Sequence, residues 1–358
     1  MHFRGVVLPG DDVRDLWVAD GRVTFEPVPG APTVTGSGWI VPGLVDAHCH
    51  VGIRFGGGHE DRDGALAQAE TERDAGVLLL RDAGSPIDTR FVDERPDLPR
   101  IVRAGRHIAR PKRYIRDLGI DLEHEEQLPE AVVEQARRGD GWVKIVGDWI
   151  DREIGDLRPL WNDRVLKEAV EAAHDNGARI TAHVFGEHAL PGLIEAGFDC
   201  LEHGTGLTDE TIAAMVAHGT ALVPTLINID TFPAIAADAG RFPVYAEHML
   251  DLHRRSRETV GKAHEAGVPV YVGTDAGGGI RHGRVADEIA ALREAGLSAH
   301  DALGAASWNA RPWLGHRNVE QDAAADFVVY DRDPREHPDA LTDPRWVVLR
   351  GEVVRAPR

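Results

Sequence analysis

Eight short apolar runs alternate with helix-like stretches from residue 40 onwards. Most of these stretches have apolar residues at helical spacing and end at glycine, a common C-terminal stop of a helix. Eight strand–helix units over roughly 270 residues predict an α/β fold of the (β/α)8 TIM-barrel type. A doubly wound open sheet is the alternative, but no Gly-rich phosphate-binding loop follows the first run. The predicted strands are 40–48, 77–82, 100–105, 142–147, 179–184, 198–203, 220–225 and 269–275.

The two ends of the chain have a different pattern. Residues 1–40 and 317–358 contain short β-like runs separated by turns. Neither end has enough apolar residues to form a domain alone. We therefore expect the two ends to pair into one small β-sandwich beside a barrel domain that spans residues 41–316.

Composition excludes several classes of partner. The formal net charge of −19 over 358 residues disfavours nucleic acid, because phosphates would be repelled. There is no long apolar segment to span a membrane, and the first residues lack a basic-then-apolar signal pattern. We expect a cytoplasmic protein with no membrane partner. Cys49 and Cys200 are the only cysteines, so a reduced state is the simpler expectation.

Side chains that bind metals stand at the C-terminal ends of several predicted strands. In a barrel of this kind, the loops at those ends build the active site. Because residues two apart in a strand share a face, His48 and His50 point the same way. Imidazole and carboxylate groups suit zinc, and also manganese, iron or cobalt. The candidate ligands are His48 and His50 on the first strand, Lys144 on the fourth, His183 on the fifth, His203 on the sixth and Asp275 on the eighth.

The segments GLVDAHCH, TAHVFG, LEHGTGL and VGTDAG, in this order on eight strand–helix units, resemble the amidohydrolase superfamily of metal-dependent hydrolases. The longer stretch TAHVFGEHALPGLIEAGFDCLEHGTGLTDETI resembles its imidazolonepropionase-like and Xaa-Pro dipeptidase-like branch. The resemblance covers nearly the whole chain, including the terminal β-sandwich. It implies two divalent metal ions, with zinc expected, and frequent assembly into homo-oligomers. By this resemblance, His48, His50 and Asp275 hold the deeper ion, His183 and His203 hold the second, and Lys144 bridges both as a carbamate.

Lys144 can bind metal only after a chemical change. A free ammonium, with a pKa of ~10.4, has no lone pair and would repel two dications. Reaction with carbon dioxide gives an anionic carbamate with one oxygen for each ion. The alternative is a buried lysine paired with an acid such as Asp148. The resemblance also makes Asp275 the catalytic base that takes a proton from the attacking water.

A basic and aromatic loop, HIARPKRYIRDLG, follows the third predicted strand. Arginine and tyrosine together can hold a carboxylate, and relatives in this branch often cleave dipeptides or acylated amino acids. The alternative is that the arginines pair with the nearby acidic segment DLEHEE. The candidate residues for binding a small, carboxylate-bearing substrate are His107, Arg113, Tyr114 and Arg116.

Three classes of function follow from the resemblance. The first is a binuclear hydrolase of an amide, peptide or cyclic amide bond, such as a dipeptidase or an N-acyl amino acid hydrolase. The second is a mononuclear deaminase, or an imidazolonepropionase-type enzyme. Deaminases typically lack the strand-four lysine and place a glutamate three residues after the strand-five histidine, where this chain has Gly186, with Glu187 one position late. The third is a non-catalytic relative, but such proteins commonly lose metal ligands that this chain retains.

Overall fold

The computed structural model describes residues 1–357. The strands are β1 (His2–Val7), β2 (Asp12–Ala19), β3 (Arg22–Thr24), β4 (Thr33–Thr35), β5 (Trp39–Pro42), β6 (Leu44–Cys49), β7 (Val77–Asp82), β8 (Arg100–Arg103), β9 (Ile108–Ala109), β10 (Ile120–Asp121), β11 (Trp142–Val146), β12 (Asp148–Asp151), β13 (Asp156–Pro159), β14 (Arg179–Val184), β15 (Cys200–His203), β16 (Ala221–Val223), β17 (Phe327–Tyr330), β18 (Trp346–Leu349) and β19 (Glu352–Arg355). The α-helices are α1 (Arg62–Asp74), α2 (Leu128–Arg138), α3 (Asp163–Asp175), α4 (Leu190–Ala196), α5 (Asp209–His218), α6 (Leu226–Ile229), α7 (Phe232–Asp238), α8 (Pro243–Glu265), α9 (Val285–Glu294), α10 (Ala299–Ala305) and α11 (Ala310–Trp313).

The two ends of the chain meet in one eight-stranded sheet. Its order is β19-β18-β17-β5-β1-β2-β3, and β4 pairs with β1. Phe3 from β1 packs edge-on against Phe327 from β17, with ring centroids 5.1 Å apart. Both side chains are fully buried and belong to one apolar cluster with Leu16, Ile40 and Val348. The domain boundaries at residues 40/41 and 316/317 stay predictions.

The first predicted strand, 40–48, divides in two at Gly43. Its first part, β5, belongs to the terminal sheet, and its second part, β6, begins the central α/β region. A Cβ at Gly43 would lie 2.6 Å from the Leu78 side chain, so the close approach of β7 requires glycine at this point.

The central region has a TIM-barrel-like arrangement of parallel strands. Strands β6, β7 and β8 form one parallel sheet, and a second parallel sheet has the order β10-β9-β11-β14-β15-β16. Helices such as α2, α3, α4 and α5 lie between successive strands in the chain. The hydrogen-bonded ladders do not close these two sheets into one eight-stranded barrel within the described residues.

The predicted eighth strand, 269–275, does not form a strand in the structure, and this prediction is wrong. The segment lies between β16 and β6 and makes two backbone hydrogen bonds to each. The Ala47 N–H donates to the Val272 carbonyl over 2.8 Å, and the Asp275 N–H donates to the His48 carbonyl over 2.7 Å. Only isolated bridges form, between Leu222 and Val270 and between Cys49 and Ala276, so no continuous ladder runs along the segment.

None of the helices within residues 1–357 combines the length and the apolarity that crossing a bilayer requires. Cys49 and Cys200 are buried free thiols.

Candidate metal centre

All six predicted metal ligands line one cavity of about 460 Å³. They reach it because parallel strands present their carboxyl ends at the same edge. His48 and Lys144 lie within β6 and β11, His183 lies near the end of β14, and His203 is the last residue of β15. The cavity residues among the candidates are His48, His50, Lys144, His183, His203 and Asp275.

Three ligand atoms converge on one point. His48 Nε2 lies 3.2 Å from His50 Nε2, and Asp275 Oδ1 lies 3.1 Å from the first and 3.0 Å from the second. His50 Nδ1 lies 2.8 Å from the Gly84 carbonyl oxygen, which can only accept a hydrogen bond. In the neutral ring, Nδ1 therefore carries the proton and Nε2 presents its lone pair to the other two atoms. The donor set fits a divalent cation.

The two remaining histidines lie side by side next to this group. The ring centroids of His183 and His203 are 4.6 Å apart, and His203 is 5.3 Å from His48. His203 Nδ1 lies 2.7 Å from Thr225 Oγ1, whereas His183 Nε2 is buried without a hydrogen-bond partner in residues 1–357. Burial lowers the pKa of His48, His183 and His203 well below the ordinary value, so these rings are neutral and able to bind metal.

Three residues of the same site have a strained backbone. His203, Thr225 and Asp275 have φ values of 69°, 49° and 56°, in the left-handed region that side chains other than glycine rarely adopt. Such conformations cost of order 1–3 kcal/mol each and cluster at functional sites. Here two of the three residues are candidate ligands, and the third contacts a candidate ligand.

Lys144 is held by an acid that the sequence analysis did not select. Its Nζ forms an ion pair with Glu202 Oε2, and Arg81 Nη2 lies 3.0 Å from Glu202 Oε1. The prediction of Asp148 as the alternative partner of Lys144 is wrong, because the Asp148 carboxylate accepts the Phe185 and Gly186 N–H groups instead. Burial lowers the pKa of Lys144 to about 7. A glutamate in the middle of a buried strand was the available signal, since such a charge needs cationic partners.

Asn228 is a second residue that the sequence analysis missed. It lies on α6, and its Nδ2 donates to Asp275 Oδ2 over 2.7 Å. The two oxygens of Asp275 therefore have different environments, one facing His48 and His50 and the other held by Asn228. No motif in the sequence marks this asparagine, because only the fold brings the residue after β16 to the carboxylate.

Of the four candidate substrate residues, only Tyr114 lines the cavity. His107 is fully buried behind the site, with its ring centroid 5.0 Å from His50 and 5.1 Å from Tyr114. Burial raises the pKa of the Tyr114 hydroxyl, so it keeps its proton and can donate a hydrogen bond.

The arginines of the same loop point elsewhere. Arg113 Nη1 lies 3.1 Å from Asp151 Oδ2, and Arg113 Nη2 donates to the carbonyl oxygens of Trp149 and Arg158. Arg113 therefore supports the β12–β13 hairpin. Arg116 is exposed and does not line the cavity.

Apolar side chains form much of the remaining cavity wall. Apart from the candidate ligands, Asp238 is the one charged residue that lines the cavity among the described residues. The site therefore favours a substrate with a sizeable apolar group. The large apolar lining residues are Ile53, Tyr114, Ile115, Leu118, Trp149, Phe185, Phe232, Ile235 and Tyr245.

Comparison with known sequences places this chain in a family. Residues 39–354 match the model of the amidohydrolase family. The uncharacterized protein Rv2915c of Mycobacterium tuberculosis is 63% identical over 351 residues, which cover 98% of this chain and 95% of the relative. Ochratoxinase of Aspergillus niger is 26% identical over 232 residues, which cover 62% of this chain and 47% of the relative.

Solved structures share the fold over nearly the whole chain. A Xaa-Pro dipeptidase with bound methionine has a TM-score of 0.82 at 22% identity, covering 98% of each chain. A prolidase complexed with N-methylphosphonate-L-proline has a TM-score of 0.83 at 19% identity, covering 99% of each chain. Aspergillus niger ochratoxinase has a TM-score of 0.81 at 18% identity, covering 99% of this chain and 95% of that one. The family match confirms the resemblance seen in the sequence: the chain belongs to the amidohydrolase family and is a hydrolase that acts on carbon–nitrogen bonds.

Proposed function

We propose that this hydrolase uses two divalent metal ions to cleave an amide or peptide bond in a small molecule. The observation that carries the proposal is the convergence of His48 Nε2, His50 Nε2 and Asp275 Oδ1 within 3.2 Å of one another. Three such atoms at these distances, two imidazole nitrogens and one carboxylate oxygen, form a donor set that favours a cation between them. The other candidate ligands line the same cavity.

The donor set divides into two metal positions. His48, His50 and Asp275 would hold one ion, and His183 and His203 would hold the other. Imidazole nitrogen and carboxylate oxygen are ligands that suit zinc. When bound, such ions lower the pKa of water and polarise the carbonyl group of the substrate.

Lys144 would join the two positions as a carbamate. Its amine nitrogen attacks the carbon of carbon dioxide, forms an N–C bond and releases one proton to solvent. Only the neutral amine can do so. Because burial lowers the pKa of Lys144 to about 7, a substantial share of the side chain is neutral at physiological pH. An exposed lysine would be almost fully protonated there.

Asp275 would move the proton during the reaction. Its Oδ2 is held by Asn228 Nδ2, which fixes the plane of the carboxylate. The carboxylate takes the proton from the attacking water and returns it to the amine leaving group as the carbon–nitrogen bond breaks. Both transfers need the same residue, so its orientation must persist through the cycle.

The cavity supports a substrate with an apolar group next to the scissile bond. Trp149, Phe185 and Phe232 offer aromatic surface, and Tyr114 offers one hydroxyl donor for a carboxylate or carbonyl oxygen. Dipeptides and N-acyl amino acids combine these features. The names of the relatives, a Xaa-Pro dipeptidase and an ochratoxinase, support this substrate class.

The position of Glu187 disfavours deaminase and imidazolonepropionase-type chemistry. Glu187 Oε2 lies 2.9 Å from His248 Nε2, and its other oxygen is paired with Arg255. Glu187 is not among the residues that line the cavity. It is therefore committed to a contact with α8 rather than to a substrate.

A substrate screen tests the proposal. The zinc-loaded protein is assayed against dipeptides, N-acyl amino acids, cyclic ureides and amino-substituted heterocycles, with Asp275→Asn as the inactive control and Asp238→Asn as a control at the same cavity. We expect hydrolysis of linear amides with an apolar side chain, abolished in the first variant and retained in the second. Release of ammonia from amino-substituted heterocycles, without cleavage of linear amides, would contradict the proposal.

A further inference from the structure

A second cavity, of about 740 Å³, lies at the opposite end of the central strands. Three of its lining residues are the first residues of their strands: Arg100 in β8, Trp142 in β11 and Arg179 in β14. The candidate metal ligands stand at or near the other ends of the strands. The two cavities are therefore separated by the length of the strands, and a ligand in one does not occupy the other.

This second cavity has positive charge that the described residues do not neutralise. No carboxylate within residues 1–357 lies within ion-pair distance of Arg179. Its guanidinium carbon stands 4.2 Å from the centre of the Trp142 ring. Arg350 Nη1 donates to the carbonyl oxygens of Pro96 and Leu98, which carry no net charge.

The acids at this cavity are already engaged. Asp93 and Asp140 line the cavity, and both are paired with Arg103, which does not line it. Arg103 Nη2 lies 2.9 Å from Asp93 Oδ1, and Arg103 Nη1 lies 3.0 Å from Asp140 Oδ2. Arg100 is paired with Asp326 over 3.1 Å. Arg179 and Arg350 therefore remain as two unneutralised guanidinium groups in a chain whose net charge is −19.

One residue that lines this cavity, Trp142, has an unsatisfied buried donor. Trp142 is 1% exposed, and its Nε1 has no hydrogen-bond partner in the described residues. A buried N–H without an acceptor costs of order 1–3 kcal/mol, so native proteins usually provide one. His316 adds a further ring on the cavity wall with no side-chain partner in residues 1–357.

We propose that this cavity binds a phosphate group, either free or on a small metabolite. Arg179 and Arg350 would supply the charge, and Trp142 Nε1 would donate to a phosphate oxygen. Guanidinium groups match the geometry of phosphate oxygens and are weakly hydrated, so they suit such a site. This site is independent of the metal-dependent hydrolysis proposed above.

Calorimetric titration of the metal-loaded protein with inorganic phosphate tests the site. Ionic strength is held constant with sodium chloride, and acetate is titrated in parallel. Arg179→Gln removes one charge, and Trp142→Phe removes the N–H while keeping an aromatic ring. Arg164→Gln is the matched control, because Arg164 is an exposed arginine paired with Glu168 on α3.

We expect the wild type and Arg164→Gln to bind phosphate equally, and Arg179→Gln to bind roughly 10–100-fold more weakly, the usual effect of losing a charge-assisted hydrogen bond. Trp142→Phe should also bind phosphate more weakly. Because it changes a different side chain, weaker binding in both variants would not be explained by misfolding of Arg179→Gln alone. If phosphate bound at the candidate metal ligands instead, its affinity would be the same in the wild type and in both variants. Equal binding in the wild type and both variants, no binding in the wild type, or tighter binding of acetate than of phosphate would overturn the proposal.

Discussion

His50 and Asp275 are 225 residues apart in the chain, yet His50 Nε2 lies 3.0 Å from Asp275 Oδ1. The segment that carries Asp275 is joined to β6 by two backbone hydrogen bonds, from the Ala47 N–H to the Val272 carbonyl and from the Asp275 N–H to the His48 carbonyl. Thr274, the preceding residue, donates both its N–H and its hydroxyl to the carboxylate of buried Asp46. Asp275 is thus placed by its neighbours in a strained conformation, at the point where a catalytic carboxylate is needed.

Asp275→Asn should lower kcat by ~10²–10⁴, because the amide keeps an oxygen for the metal but cannot accept a proton. Metal content, measured by elemental analysis, should fall much less. Asp238→Asn, at the same cavity, should retain turnover. Near-normal kcat in Asp275→Asn with full metal content would remove this residue from the mechanism.

Asn228→Ala should lower kcat by roughly 10–100-fold, since a hydrogen bond to a charged group is worth ~1.5–3 kcal/mol. The carboxylate of Asp275 would then lose the contact that fixes Oδ2. KM should change little, and Asn228→Asp should not restore activity, because two carboxylates would repel each other. A purely structural role would instead lower thermal stability and leave the kcat of the folded fraction unchanged.

The candidate metal ligands could be selected from the sequence because each stands in or at the end of a short apolar run, and the structure brings all six to one cavity. His48 and His50 share a strand face, and His183 and His203 end runs of apolar residues. Asn228 carries no such pattern, and Glu202 and Arg81 stand in apolar runs that indicate a buried charge but not its partner. Their roles come from contacts between elements far apart in the chain, such as Arg81 to Glu202 over 121 residues, and spacing along one strand does not reveal them.

The basic and aromatic loop HIARPKRYIRDLG, after the third predicted strand, shows a different limit of prediction from sequence. Its basic composition was visible, but the direction of each side chain depends on the hairpin of β12 and β13, which was not predicted. Arg113 contacts that hairpin, whereas Tyr114, its neighbour, faces the cavity. The predicted eighth strand has the apolar pattern of a strand, but the segment forms only isolated bridges with its neighbours.

Arg113→Ala should lower the free energy of unfolding by about 1–3 kcal/mol, because it removes one ion pair and two hydrogen bonds to the hairpin. Any loss of kcat/KM should be equal for a carboxylate substrate and its neutral amide analogue. Tyr114→Phe should weaken the carboxylate substrate more. Chemical denaturation and parallel kinetics measure both effects, and a selective loss of the carboxylate substrate in Arg113→Ala would reverse this assignment.

Carbamylation of Lys144 should depend on pH. Because its pKa in the folded protein is about 7, the neutral amine increases as pH rises through 7. At a fixed concentration of dissolved ¹³C-labelled carbon dioxide, the carbamate signal in a ¹³C NMR spectrum should therefore grow between about pH 6 and 8. Lys144→Ala should abolish the signal, and Lys167→Ala, at an exposed lysine on α3, should preserve it. A signal that survives Lys144→Ala would assign the carbamate to another amine.

The stoichiometry of bound metal tests the central claim most directly. Protein produced with ample zinc and freed of loosely bound ions is analysed for metal per chain, together with His183→Ala and His188→Ala. We expect about two ions per chain in the wild type and in His188→Ala, whose histidine does not line the cavity, and a lower value in His183→Ala. A firm value of one or none in the wild type would contradict the two-metal centre.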